Sequence, residues 1–312
     1  MAKEECMVTV VVPVYNSEDT ISACIESILA QTHKVLQVVV VDDGSTDGSG
    51  GICEQIASAD SRVLVIHQQN QGRTAARHAG VTAATGEWLA FVDSDDTLPA
   101  DAIRILFEHA GPDTDIVLGN ANSLPGEQRS IIPLSDFRHF AVRAEGTIGV
   151  PWGSLYRRQL LTPYLFDLPR SIMMGEDYIF WLRLVFSTKK DVNAVYENVY
   201  CKGQDHTSGS FVWTAEYAQQ LQDYRLQTIP SADHALYEYD MLCDRIDNLF
   251  AVAVWSNRKQ WHGSKFYSDI LADTKRLSRP LSPLQRLLLW LPSLRLRRTY
   301  AIISTFFHRV KK

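Results

Sequence analysis

Short apolar runs, separated by stretches with helical spacing, organise the first 120 residues. The runs are "MVTVVVPV" (7–14), "LQVVVV" (36–41), "RVLVI" (62–66), "WLAFV" (88–92) and "DIVLG" (115–119), all rich in β-branched side chains. Short runs of this kind bounded by polar residues predict strands. Between them, Ile21, Ile25, Ile28 and Leu29 mark one helix, and Ala75, Ala76, Ala79 and Ala83 mark another. Ile103, Leu106 and Phe107 mark a third, opened by Pro99 in its first turn. Strands alternating with helices predict an α/β fold, a mostly parallel sheet flanked by helices on both faces. In such sheets ligands sit beyond the carboxyl ends of the strands. The polar clusters "YNSED", "DDGSTD", "QQNQGR" and "DSDD" follow the first four runs in turn. Their placement predicts one shared site.

The pattern then changes. Residues 121–150 look irregular, with "NSLPGEQ" as a loop. A shorter unit follows: "PWGSLYRRQLL" (151–161), then "MMGEDYIFWLRLVF" (173–186), helical after Asp177. "NAVYENVYCK" (193–202) reads as a strand pair or edge strand. Residues 214–262 are predicted helical, with Leu242, Ile246, Leu249 and Val252 on one stripe. The expected organisation is 1–120, 121–210 as a second half of the same domain, and a helical region over 211–312.

A length of 312 residues allows one large domain, or one domain with an appendage. The five cysteines are scattered, without a C-x-x-C pair, which favours a reducing cytoplasm over a disulfide framework or zinc site. The start "MAKEECMVTVVVPVYN" lacks the features of a signal peptide, and no window reaches eighteen apolar residues. A cytoplasmic protein is expected. The net charge of −5 conceals an asymmetry: ten Lys and Arg follow Asp273, and no acid does. Charge split this way points to a surface or polyanion contacted by one end.

The fourth run ends in Asp93, Asp95 and Asp96. Two carboxylates about 5 Å apart repel by roughly 3 kcal/mol at an effective dielectric of ~20. A divalent cation would offset that. On an extended chain residues two apart point to one side, so Asp93 and Asp95 would face one ion. Hard oxygen ligands suit Mg²⁺ or Mn²⁺, which also bind phosphate oxygens. A calcium loop of EF-hand type fails, because its glycine and glutamate positions hold Leu98 and Arg104. The competing reading is a helix N-terminus decorated with acids, which its dipole favours. Asp-Ser-Asp-Asp alone leaves both open. Neither G-x-G-x-x-G nor the P-loop pattern occurs.

The segments "VVPVYNSEDTISACIESILAQT", "VVVVDDGSTDGS", "NQGRTAARHAGVTAATGEWLAFVDSDD" and "GEDYIFWLRL" occur in that order. Together they resemble the family 2 glycosyltransferases of the GT-A (Rossmann-like) fold, from about Val8 to Ser210. The resemblance implies an inverting, metal-dependent transfer from a nucleotide-sugar, UDP-linked by expectation, to a hydroxyl of a glycan or lipid-linked acceptor, with Mn²⁺ or Mg²⁺ as cofactor. Residues 1–120 would then bind the donor and 121–210 the acceptor. Pro13, Val14 and Tyr15 would lie against the nucleoside with Glu18 nearby, and Asp43 would accept from the base. Asn70, Arg73 and Arg77 would hold the nucleotide, Arg73 reaching a phosphate. Asp93 and Ser94 would lie at the ribose or metal, and Asp95 would ligate the metal. His206, in "KGQDHTSGS", would be a further metal ligand or phosphate contact. Trp152 and Glu176 would line the acceptor side, and Asp177 would be the base. The family's usual "GGxSxARNxG" reads "NQGRTAARHAG" here, with His78 in place of Asn and Arg73 added.

Each role has a plainer competitor. Asp42 or Asp43 would cap a turn, Arg77 would be a solvated surface residue, Tyr15 and Trp152 would only pack, and Glu176 and Asp177 would serve as helix-end charges. Two other functions compete as well. A sugar-nucleotide nucleotidyltransferase would need a glycine- and arginine-rich loop where "PVYNSED" stands. A non-catalytic nucleotide-sugar-binding module would not need Asp95 and Asp177. No nucleic acid is expected. The tail from 281 mixes Leu284, Leu287, Leu288, Trp290, Phe306 and Phe307 with arginines. Its two readings are an amphipathic contact with an anionic membrane, peripheral on the inner face, and helices packed on the body.

Overall fold

Every residue of the first strand, β1 (Val8–Val14), is buried, which is why it reads as an unbroken valine run and not an alternation. It pairs in parallel with β2 (Leu36–Asp42) on one side and β4 (Trp88–Phe91) on the other, and β2 pairs with β3 (Val63–His67). The crossovers are α1 (Ile21–Leu29), α2 (Ser49–Ala59) and α3 (Arg73–Ala83). Val92 donates to the Val11 carbonyl, and β4 ends there. Alternation turns Pro13 toward the side β4 has vacated, so its missing N–H leaves no gap in the ladder. Helix α3 lies close on β1. A Cβ on Gly80 would stand 2.3 Å from Val11 Cγ1, so only glycine permits that approach.

This computed structural model describes residues 6–144, 149–172, 174–203, 214–255, 263–277 and 279–290. The chain divides into two units, 1–206 and 207–312. In the first, β5 (Ile116–Leu118), β6 (Ile131–Ile132), β7 (Ser154–Arg157) and β8 (Val192–Ala194) extend the sheet to the order β3-β2-β1-β4-β7-β5-β8-β6. β7 runs antiparallel to both neighbours and β6 antiparallel to β8, so the parallel half is β3 to β4. The α/β class and the flanking helices agree with the sequence pattern.

Three details differ from it. Segment 121–150 holds β6 and a helix, α5 (Leu134–Val142), whose Phe137, Ala141 and Val142 are buried. The third expected helix, α4 (Ala102–Glu108), starts after Pro99 and not around it. The strand expected over 193–202 is the short β8 plus a single antiparallel bridge from Cys201 to Thr97. Helix α6 (Glu176–Ser187), expected in sequence after Asp177, is buried from Tyr178 through Val185. Its Phe180 meets Phe91 and Tyr156 edge to face, at 6.0 Å each, and seals it to the sheet.

The second unit contains α7 (Ala215–Thr228), α8 (His234–Trp255), α9 (Lys265–Thr274) and α10 (Pro283–Trp290). Thr214 and Ser264 accept from Tyr217 N and Tyr267 N, capping α7 and α9. Leu242, Ile246 and Leu249 of the expected stripe are buried against Phe266, Ile270, Leu281 and Leu289. The first ten residues of the tail therefore supply core to the helical unit. Residues 291–312 lie outside the described residues. No described helix is long and apolar enough to cross a membrane.

Candidate active site

The loops after β1, β2, β3 and β4 converge beyond the strand ends. Asp42 is structural: Oδ1 accepts from Ser45 N at 3.0 Å, and Oδ2 pairs with His67 Nδ1 at 2.9 Å. Asp43 is buried, and its carboxylate accepts from Gln68 Nε2 (2.7 Å), Gln71 N (2.8 Å) and Gly72 N (2.8 Å). It thus shapes the loop that opens α3, keeping about one of its four lone-pair sites for a ligand. Gly44, at φ +75°, lets this turn pass Asn70, whose backbone N would lie 2.9 Å from a Cβ there.

Glu18 is exposed and accepts from Gly48 N at 2.7 Å, stitching the first loop to the start of α2. Pro13 and Val14 are buried in the sheet, so their side chains do not line the site; Tyr15 stands half exposed at its mouth. The Ser17 and Ser94 hydroxyls share a hydrogen bond of 2.7 Å between the first and fourth loops. Asn70 Oδ1 accepts from Arg170 at 2.7 Å, an arginine the motif pattern did not single out.

The three acids do not lie on an extended chain. Asp96 N donates to Asp93 O at 3.1 Å, so Asp93–Asp96 is a turn, and the extended-chain argument for aiming Asp93 and Asp95 at one ion does not apply. Each acid has different surroundings. Asp93 Oδ1 accepts from Arg77 at 2.9 Å. Asp96 is buried, with Tyr200 Oη donating to Oδ2 at 2.6 Å and Gly203 N donating to Oδ1 at 2.7 Å. Burial, with Asp95 and Asp93 nearby, still pushes its carboxyl pKa up against those hydrogen bonds. Asp95 is exposed, with no side-chain partner among the described residues.

Helices α3 and α6 close the site. Arg77 is only 3% exposed, on the face of α3 that packs inward, which rules out the solvated-surface reading. Its guanidinium donates to Asp177 Oδ1 at 2.5 Å and to Asp93 Oδ1 at 2.9 Å. Burial would lower its pKa, but the Asp177 and Asp93 charges outweigh burial and raise it. Arg73, one turn earlier, pairs with Glu176; its side chain is 47% exposed, that of Glu176 only 7%. Burial and the Asp177 charge push Glu176 above the usual carboxylate range, against the pull of Arg73. Gly175, left-handed at φ +87°, starts α6 and sets Glu176 and Asp177 in its first turn.

Trp152 bridges to Phe91 at the end of β4 and stacks on Tyr200 with centroids 4.4 Å apart, which brings it beside the acid turn. His206 lies outside the described residues. Sequence reasoning missed Tyr200, Gly203 and Arg170. Tyr200 lay in a segment read only as a strand, and nothing local marks a residue whose partners stand 104 and 107 positions away.

Among the described residues no set of three or more His, Cys, Asp or Glu forms a metal cage. The donor set at the turn is the solvent-facing Asp95 carboxylate together with Oδ2 of Asp93, the oxygen Arg77 does not take. It fits a hard cation that takes its remaining oxygens from a diphosphate and water, as Mg²⁺ does.

The sheet, its strand-end loops and its flanking helices define a GT-A-like fold. S. aureus TarS 1-349 in complex with UDP-GlcNAc superposes with a TM-score of 0.65 at 21% identity, over 94% of this chain and 90% of that one. The mannosyltransferase PcManGT from Pyrobaculum calidifontis, in complex with GDP-Man and Mn2+, gives 0.56 at 20% identity, over 96% and 83%. The family model described as Glycosyl transferase family 2 matches residues 9–178, more than half the chain. The chain belongs to that family. Glycosyltransferase GlyA of Streptococcus pneumoniae is 30% identical over 240 residues, 69% of this chain and 33% of that protein. Putative glycosyltransferase EpsH of Bacillus subtilis is 35% identical over 173 residues, 52% and 50%. The chain thus spans half or less of these two relatives.

Proposed function

We propose that this chain is an inverting, metal-dependent glycosyltransferase that moves a sugar from a nucleotide-sugar, a UDP-sugar in the leading reading, to a hydroxyl of a glycan or lipid-linked acceptor. One observation carries the proposal: buried Arg77 ties Asp93, at the end of the donor-side strand β4, to Asp177, at the start of α6. A donor site and a base held by one guanidinium keep a fixed separation. Fixed geometry is what a direct displacement needs.

Only Oδ1 of Asp177 is held by Arg77, which leaves Oδ2 to take the proton of the acceptor hydroxyl. As that proton moves to Asp177, the hydroxyl oxygen bonds to the anomeric carbon from the face opposite the diphosphate. The bond from that carbon to the phosphate oxygen breaks, and its electron pair leaves with the nucleoside diphosphate. A single displacement inverts the centre. Arg73, half exposed beside Glu176, would neutralise a phosphate, and Glu176 and Trp152 would border the acceptor. Tyr15, Glu18, Asp43, Asn70 and Ser94 would surround the nucleoside, with Pro13 and Val14 contributing through backbone alone. When bound, Mn²⁺ or Mg²⁺ supplies Lewis-acid stabilisation of the charge growing on the leaving diphosphate. Asp95 would hold it, with Oδ2 of Asp93 and His206 as further ligands.

The test uses UDP-glucose, UDP-galactose and their N-acetyl forms with and without Mn²⁺. Sugar release or transfer should require the cation. Asp177→Asn should lower turnover by roughly 10²–10⁴ while UDP binding stays within about twofold, since no donor contact is removed. Full transfer by Asp177→Asn would show that the base is another group.

A further inference from the structure

A single hydroxyl spans the acid turn. Tyr200 Oη accepts from Asp93 N at 3.1 Å and donates to Asp96 Oδ2 at 2.6 Å, so it joins the first and last residues of the turn that presents Asp95. The segment carrying it is fastened to the same turn on both sides. Thr97 and Cys201 exchange two backbone hydrogen bonds, at 3.0 and 2.9 Å, and Gly203 N donates to Asp96 Oδ1 at 2.7 Å. A Cβ on Gly203 would stand 2.0 Å from the Asp95 carbonyl, so the strap crosses the turn in backbone contact. The Tyr200 ring is 5% exposed and stacked on Trp152 at 14° between planes. Asp96 has both oxygens committed to the strap and is buried, so it serves the turn as an anchor.

Asp93, Asp95 and Asp96 repel one another, and Asp95 has nothing of its own to hold it. We propose that Tyr200 is a positioning residue for Asp95: its hydroxyl locks the Asp93–Asp96 turn so that the Asp95 carboxylate faces the diphosphate cation. The inference rests on the reading of Asp95 as the cation's ligand. Tyr200→Phe is the direct probe, because it keeps the ring stack on Trp152 while leaving Asp93 N and Asp96 Oδ2 without their partner.

Manganese uptake is measured by electron paramagnetic resonance on the full chain with UDP present, alongside thermal melting. The Mn²⁺ concentration for half-maximal uptake should rise about tenfold in Tyr200→Phe, the scale of an unpaired buried polar group. Saturating Mn²⁺ should restore wild-type donor turnover to Tyr200→Phe and not to Asp95→Asn. A general loss of packing would instead weaken UDP binding at every Mn²⁺ concentration, and that result overturns the proposal. Wild-type uptake that disappears in Asp95→Asn but is unchanged in Tyr200→Phe also overturns it, leaving the Asp95 reading intact. Wild-type protein that takes up no Mn²⁺ with UDP overturns the Asp95 reading itself. Should Tyr200→Phe fail to fold, Gly203→Ala decides: it keeps the hydroxyl but forces the strap off the turn, and a raised Mn²⁺ requirement supports the lock while an unchanged one removes it.

Discussion

Arg77 is buried with a full charge, and its Nε has no hydrogen-bond partner, so its stability depends on the two carboxylates it reaches. Removing one member of a buried ion network leaves the others uncompensated, at a cost of roughly 3–5 kcal/mol. Asp93 and Asp177 keep 19% and 17% side-chain exposure, which places Arg77→Met at the lower end of that range. Urea unfolding of Arg77→Met should show a loss of about 3 kcal/mol, and a change below about 0.5 kcal/mol would mean that water already screens the network. Lysine is no substitute, because a point charge cannot span both acids as a planar fork does. At this scale the sequence marked charged residues that do gather beyond the strand ends, but not the partners they meet there. It supplied Asp93, Asp95, Asp177 and Arg77, but the pairing of Asp93 with Asp95 rested on an extended chain that the turn at Asp93–Asp96 replaces.

Three elements meet at His67. Its Nδ1 pairs with Asp42 at the end of β2, and its Nε2 with Glu54 of α2, at 2.9 and 2.8 Å from the end of β3. Those hydrogen bonds outweigh partial burial and raise the imidazole pKa above its ordinary 6.5. The folded chain thus binds this proton more tightly than the unfolded chain. Its contribution is complete below about pH 6.5 and fades as pH rises through the raised folded value. His67 is 49% exposed, so the effect stays below about 1 kcal/mol. The gap in melting temperature between wild type and His67→Gln should shrink from about pH 5.5 to about pH 8.5; a gap constant across that range would mean that the bridge carries no charge. Elements of the first half were legible because valine runs and helical spacing are local records of burial. Helix α5 was not, although Leu134, Phe137 and Ala141 carry helical spacing, because it stands among loop residues after Pro133. Strand β6 is two residues long, too short to leave a period.

For the whole molecule, the charge asymmetry becomes a question about the tail. Leu281 and Leu289 belong to the core of the helical unit, and Tyr267 Oη donates to the Leu289 carbonyl at 3.1 Å. A truncation at 281 would therefore damage that unit and confuse the two readings. Deleting 291–312 leaves α10 in place and is the cleaner probe of the proposed contact with anionic lipid. Flotation with vesicles containing phosphatidylserine should be lost on that deletion, with Mn²⁺-dependent UDP binding retained. Flotation that is unchanged would show that the basic residues beyond 290 do not bind the membrane.

By itself the sequence determined the alternation of strands and helices, the clustering of polar loops at one edge of the sheet, and the identity of most charged groups there. These are local properties, set by which side of each element is buried. Only the tertiary structure decided which charge each group meets. Arg77 finds Asp177 100 residues away, and Tyr200 finds Asp96 104 away. Such pairings depend on how helices and loops pack across the sheet, and no spacing within a single element records that.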